Sequence, residues 1–97
     1  MSHLEFEWDT AKAESNLRKH GVSFEEARSA FADEWGRLIN DPDHSDVEDR
    51  FILLGLSAKF RVLVVAHCYR HGDTIRIISA RKAEKREWKQ YQRFRHA

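Results

Sequence analysis

Apolar and polar positions along this chain change period twice, and the changes mark out its elements. Trp8-Asp9-Thr10 opens a helical stretch in which Asp9 is a suitable N-cap, because its carboxylate can accept from the unpaired backbone N–H groups of the first turn. Ala13 and Leu17 stand four residues apart and are predicted to face the core. Arg18-Lys19-His20 places cations at the negative end of the helix dipole, and Gly21 can take the left-handed conformation that ends a helix. A second helix starts almost at once. Ser23-Phe24-Glu25-Glu26 has the S-x-x-E form of a capping box, with Phe24, Ala27 and Phe31 at helical spacing, and the pattern fades near Asp33.

The period then shortens to that of strands. Gly36 introduces a short strand, Arg37 to Asn40, and Asp41-Pro42-Asp43-His44-Ser45 is turn chemistry running into the acidic stretch Asp46 to Asp49. Phe51 to Leu56 and Val62 to Ala66 are apolar runs joined by Ser57-Ala58-Lys59-Phe60, a connection of hairpin length. His71-Gly72-Asp73 is a second tight turn before a fourth strand, Thr74 to Ala80. Strict alternation puts Leu63, Val65, His67 and Tyr69 on one side of the third strand. It also groups Arg76 with Ile78 and Ala80, and Ile75 with Ile77 and Ser79.

From Arg81 the period is helical again. Taken from Ala80 at about 100° per residue, Glu84, Glu87, Tyr91 and Phe94 form one stripe with Trp88 at its margin. Arg81, Lys82, Lys85, Arg86, Lys89 and Arg93 occupy the opposite half. Glutamates on a packing face need cationic partners, since an unpaired buried carboxylate is costly, and Arg76 is one candidate. Strands joined by short turns pair antiparallel. The expected architecture is α+β: two N-terminal helices, a four-stranded, mainly antiparallel sheet and a C-terminal helix, with residues 1–97 as one domain.

Composition narrows the class. A chain of 97 residues, 41% hydrophobic and 34% charged, is neither low-complexity nor disordered, and it is too short for two cores. Its longest apolar run, Val62 to Ala66, falls far below the roughly 20 residues that cross a bilayer. The N-terminal residues lack the basic start and apolar segment of a secretory signal. The lone Cys68 cannot form an internal disulfide or build a zinc site by itself. A cytoplasmic domain with no metal, no cofactor and no membrane contact is expected. The net charge of +1 conceals an asymmetry: residues 1–57 sum to −7 and residues 58–97 to +8. Such polarity favours a polyanion on one side, although two solvated halves that attract each other would explain it equally.

Several side chains suit RNA chemistry. RNA carries its own nucleophile, the 2′-OH, so a protein need only supply a base, an acid and cations for the charge that builds on the phosphate. His67 suits acid or base duty. Arg61, Arg76 and Arg81 can clamp phosphate oxygens as forks, and Tyr91 can stack on a base. The same residues admit structural readings: a satisfied strand histidine, salt-bridged arginines, and a tyrosine on a packed stripe. His67 and His71 have no convincing metal spacing, no Gly-rich phosphate loop or G-x-S-x-G motif occurs, and Cys68 points away from His67.

Two motifs in the right order resemble the BrnT family. The first is Trp8-Asp9 with Lys12, Asn16 and Lys19-His20-Gly21-Val22, followed by Phe24-Glu25-Glu26-Ala27. The second is Arg76-Ile77-Ile78-Ser79-Ala80-Arg81, with Ala83, Glu87 and Tyr91 after it. The resemblance implies a RelE-like fold and a ribonuclease toxin of a bacterial type II toxin–antitoxin pair. It also implies inhibition by a BrnA antitoxin that itself binds operator DNA. On this reading His67, Arg61, Arg76, Arg81 and Tyr91 are the candidate catalytic residues, and Lys59, Lys82, Lys85 and Lys89 are candidate RNA contacts. Glu87 is expected to hold an arginine rather than take a proton. The Lys12, Asn16 and Lys19-His20-Gly21 motif reads as a cap and packing signature, with catalysis as the other possibility. The rival function is a non-catalytic nucleic-acid-binding or regulatory module whose basic last helix contacts phosphates.

Overall fold

The computed structural model describes residues 4–41 and 50–96. Strand β1 (Glu5–Glu7) precedes helices α1 (Thr10–His20) and α2 (Phe24–Ser29), the latter running into a 3-10 turn, Ala30–Ala32. Strands β2 (Arg37–Asn40), β3 (Arg50–Leu56), β4 (Val62–Arg70) and β5 (Thr74–Lys82) follow, and α3 (Lys85–Arg95) closes the order. The helix boundaries come from local chemistry. Asp9 caps α1 by accepting from the Lys12 N–H at 3.1 Å, and Gly21 ends it at φ +70° with its N–H on the Leu17 carbonyl. Ser23 caps α2 by accepting from the Glu26 N–H at 3.0 Å.

Among the described residues the sheet has five strands in the order β1-β5-β4-β3-β2, one more than the pattern predicts. The added strand, β1, pairs parallel with β5 in the register Phe6↔Ile75, so the sheet is mixed. Three residues are too few to show a period, so only the pairing reveals β1. The other neighbours are antiparallel, and β4 and β5 run on to Arg70 and Lys82. The predicted turn at Pro42–Ser45 and the acidic run Asp46–Asp49 lie outside the described residues.

A break in the β4–β5 register, between Ala66 and His67, corrects the predicted faces of β5. Ala66 pairs with Ser79 and His67 with Ile77, so Ile78 is the extra residue of a bulge. The bulge resets the alternation. Ile75, Ile77 and Ala80 are buried on one face, while Arg76, Ser79 and Arg81 share the other.

Helices α1 and α2 cover the first face. Val22, Phe24, Ala27 and Ala30 pack there against Leu53, Leu63, Val65, Ile75, Ile77 and Ala80. Gly55 permits the closest approach: a Cβ there would sit 2.8 Å from the Ala30 carbonyl oxygen, so the 3-10 turn lies directly on β3. Leu17, predicted to face the core, is 51% exposed. The position that turns inward is Asn16, whose amide accepts from the Ala80 N–H at 3.1 Å and donates to the Ala80 and Val22 carbonyls at 2.8 and 2.9 Å. That amide imitates a neighbouring strand along β5 and locks α1 to the sheet. No described helix is long and apolar enough to cross a membrane.

Candidate active site

Among the described residues the second face of the sheet is covered only in part. Helix α3 lies toward the Leu56 end, where the Tyr91 hydroxyl donates to Asp33 at 2.6 Å and the same carboxylate oxygen accepts from the Leu56 N–H at 2.8 Å. Beyond α3 the face opens into a groove of about 250 Å³ lined by Asp41, Arg50, Ile52, Val64, Ala66, Ser79 and Arg81. Its floor is three cross-strand rows: Arg50 opposite Cys68, Ile52 opposite Ala66 and Ser79, and Leu54 opposite Val64 and Arg81. Small side chains at Ala66 and Ser79 leave the depression, and the cations stand at its rim. The Asp41 N–H bonds to the Arg50 carbonyl at 3.1 Å, which brings the end of β2 to this rim.

Arg81 is held at the groove by a carboxylate. Its Nη1 and Nη2 donate to the two oxygens of Glu87 at 2.8 and 2.7 Å, a fork-on-fork pair joining β5 to α3. Glu87 Oε1 also accepts from the Glu84 N–H at 2.8 Å, so one carboxylate caps α3 and orients the arginine. These hydrogen bonds, above all those from Arg81, hold the Glu87 carboxyl below the usual range, and Glu87 in turn pushes the guanidinium up. Both stay charged near neutrality. The glutamate of the last helix therefore pairs with Arg81, not with Arg76, which is bound to Glu7 of β1 at 2.9 Å. The helix itself begins at Lys85, so Arg81 and Lys82 belong to a strand and Glu84 is an exposed N-cap.

The remaining predicted residues lie elsewhere. Arg61, in the β3–β4 turn, donates from Nε to Glu26 at 2.9 Å and from Nη2 to Glu26 and to the Gly21 carbonyl at 3.1 Å. Glu26 is buried and also accepts from Ser57 at 2.7 Å; the Arg61 hydrogen bond, ahead of that from Ser57, holds its carboxyl below the usual range. Glu26 thus spends its carboxylate on the hairpin instead of completing the predicted capping box. Arg61 ties that hairpin to α1 and α2, away from the groove.

His67 has no exposed atom and sits on the helix-covered face, opposite Arg81. Its Nδ1–H donates to the Val65 carbonyl at 3.1 Å, while Nε2 is buried without a hydrogen-bond partner among the described residues. The Phe31 and Tyr69 rings meet it edge-on at 4.8 and 5.4 Å, and burial pushes its pKa down. The ring is enclosed on the face away from Arg81. Tyr91 is 1% exposed, and its hydroxyl is pushed up to about 12 by burial and by the Asp33 bond, so it anchors α3. Lys59 projects from the hairpin and Lys82 from the end of β5, while Lys85 and Lys89 line a separate shallow depression on α3 with Arg86, Trp88, Gln92 and Arg93. Among the described residues no three His, Cys, Asp or Glu side chains cluster as metal ligands do.

Sequence reasoning missed Asp41, Arg50 and Ser79. Their only signal was register, because the three become neighbours when β2, β3, β4 and β5 pair.

Comparison with known proteins agrees with this architecture. The profile of a family described as "Ribonuclease toxin, BrnT, of type II toxin-antitoxin system" matches residues 8–87. The chain belongs to the BrnT family. Among solved structures, the crystal structure of the Brucella abortus ribonuclease toxin BrnT superposes with a TM-score of 0.67 at 19% identity, covering 86% of this chain and 100% of that one. At that identity the match speaks for the fold. Comparison with curated protein sequences gives no significant match. Within this BrnT-family chain the matched span includes every residue named above as lining the groove, together with Asp33 and Glu87, and ends before Tyr91.

Proposed function

We propose that this chain is an endoribonuclease whose open-face groove cuts single-stranded RNA by metal-independent use of the substrate's 2′-OH. One observation carries the reading: Arg81, bound by Glu87, and Arg50 line a groove that Asp41 lines as well. A phosphodiester lying across Ser79 meets two guanidinium forks, which stabilise the charge developing on phosphorus. Asp41 accepts the 2′-OH proton as that oxygen attacks phosphorus, the bond to the 5′ oxygen breaks and that oxygen takes a proton from water, and the product ends in a 2′,3′-cyclic phosphate. Arg76, on the same face and paired with Glu7, flanks the groove as a further phosphate contact.

The partner fits a second surface. A BrnA-like antitoxin, itself the contact to operator DNA, covers the outer face of α3, where Lys85, Arg86, Lys89 and Arg93 surround the half-exposed Trp88. An acidic and apolar segment would neutralise that face and overhang the groove. This is a cytoplasmic role, since its substrate is cellular RNA.

The test is cleavage of a single-stranded RNA by purified protein in excess chelator, with end-group analysis. Cyclic or 3′-phosphate ends are expected, and uniform 3′-hydroxyl ends would exclude the 2′-OH route. Arg81→Gln should lower kcat about 10²–10³-fold, the loss typical of one transition-state donor, with the fold retained. Full activity in that variant would remove Arg81 from the reaction.

A further inference from the structure

Strand β1 stops at Glu7, level with Arg76, so among the described residues the edge of β5 from Ile77 onward has no strand neighbour on that side. Helix α1 lies along that edge instead, held by the buried Asn16. A second cavity, about 200 Å³, opens between them and is lined by Lys12, Ser15, Asn16, Lys19, His20, Ile78 and Ser79. Lys12, Ser15, Asn16 and Lys19 stand at helical positions i, i+3, i+4 and i+7, which is one face of α1. Asn16 is consumed by the strand, and the residues on either side of it turn a hydroxyl and two ammonium groups to the cavity. Among the described residues neither lysine has a carboxylate partner, in contrast to Arg61, Arg76 and Arg81. Ser79 lines both this cavity and the groove, so the two adjoin across a single residue at the bulge.

We infer that this face of α1 is a backbone-binding track for the single-stranded RNA that flanks the cut, with Lys12, Lys19 and His20 taking phosphates and Ser15 a phosphate or ribose oxygen. The inference rests on the groove being where RNA is cut, and it adds the direction in which the strand leaves: over Ser79 and along α1. Cations with no carboxylate partner among the described residues, placed beside the groove by a buried clamp, suit a ligand of repeating negative charge. The contacts are to phosphate and ribose, so they are indifferent to base identity. The track also gives the Lys12, Asn16 and Lys19-His20 motif two distinct tasks. Asn16 holds the helix, and its neighbours hold the substrate.

The experiment compares the native chain with a Lys12→Gln/Lys19→Gln double variant on a dinucleotide, whose sole phosphodiester is the one cleaved, and on a sixteen-nucleotide RNA. For the long RNA, KM should rise roughly tenfold with kcat within twofold, while the short RNA, which cannot span both cavities, is cut equally by both proteins. Binding of an uncleavable 2′-O-methyl strand across a salt series should lose about 1.4 from its log–log slope, the change expected when two lysines no longer neutralise phosphates of a single strand. Arg18→Gln removes a charge from another face of α1 and should leave KM and slope unchanged. Unaltered KM and slope in the double variant, or an equal effect of Arg18→Gln, would overturn the track. Should the native chain fail to cut RNA, the cleavage reading falls separately, and the salt series on the uncleavable strand still decides whether α1 binds it.

Discussion

The two faces of the sheet are made from the same strands and differ in what their polar groups do. On the face covered by α1 and α2, polar side chains serve the fold: Asn16 bonds to Ala80 and Val22, and Glu26 to Arg61 and Ser57. His67 is the exception, with an orphaned Nε2. On the open face the cations are held by partners yet remain partly accessible: Arg81 by Glu87 and Arg76 by Glu7, with guanidinium side chains 36% and 32% exposed. Alternation along each strand would assign the faces simply, but the bulge at Ile78 changes their phase. Without it Arg76 and Arg81, five residues apart, would point to opposite sides. One inserted residue therefore assembles the cationic rim.

The contrast predicts that covered-face substitutions cost stability and open-face substitutions cost activity. The largest effect on folding is expected at Glu26. Glu26→Ala strands Arg61 and Ser57 and should destabilise by about 2–4 kcal/mol, measured by denaturant titration. The same carboxylate sets an acid limit. Its folded pKa lies below the unfolded value, so its stabilisation is present above about pH 4.5 and is lost as pH falls through the folded pKa. Stability of Glu26→Ala should accordingly vary less below pH 4.5 than that of the native chain.

Asn16→Ala comes next, at about 2–3 kcal/mol, since it leaves the Ala80 N–H and carbonyl without their partners beside α1. A variant that kept its melting temperature would mean that the edge of β5 is satisfied in some other way. Tyr91→Phe removes only the bond to Asp33 and should cost about 1 kcal/mol, with cleavage of RNA within a few-fold of native. A hundredfold loss of activity at unchanged stability would return Tyr91 to the reaction.

The smallest effect, and the sharpest division between the faces, concerns His67. Burial lowers its folded pKa, so below about pH 6.5 the unfolded chain takes up a proton that the folded ring does not, and stability falls as pH drops. His67→Leu, similar in volume and without the orphaned nitrogen, should flatten stability between pH 6.5 and 5 and leave RNA cleavage intact. Loss of cleavage in a folded His67→Leu protein would show that the covered face takes part in chemistry after all.

What the sequence determined by itself was local. The caps at Asp9 and Ser23, the left-handed Gly21, the two hairpin turns and the basic outer face of the last helix follow from groups within a few residues of one another. Their period and end chemistry are legible without knowing what lies across the core. The two BrnT motifs were also legible as strings. Tertiary structure alone decided which side chains meet. Strand β1 exists because Phe6 can pack against Phe31 and pair beside Ile75, not because three residues show a period. Glu87 chose Arg81 over Arg76, and Glu26 chose Arg61 over its own helix end, because closure of the sheet set those distances. The groove joins residue 41 to residue 81 through strand register and one bulge, and a register has no local signature: a shift of one residue leaves the sequence unchanged and reverses every side chain.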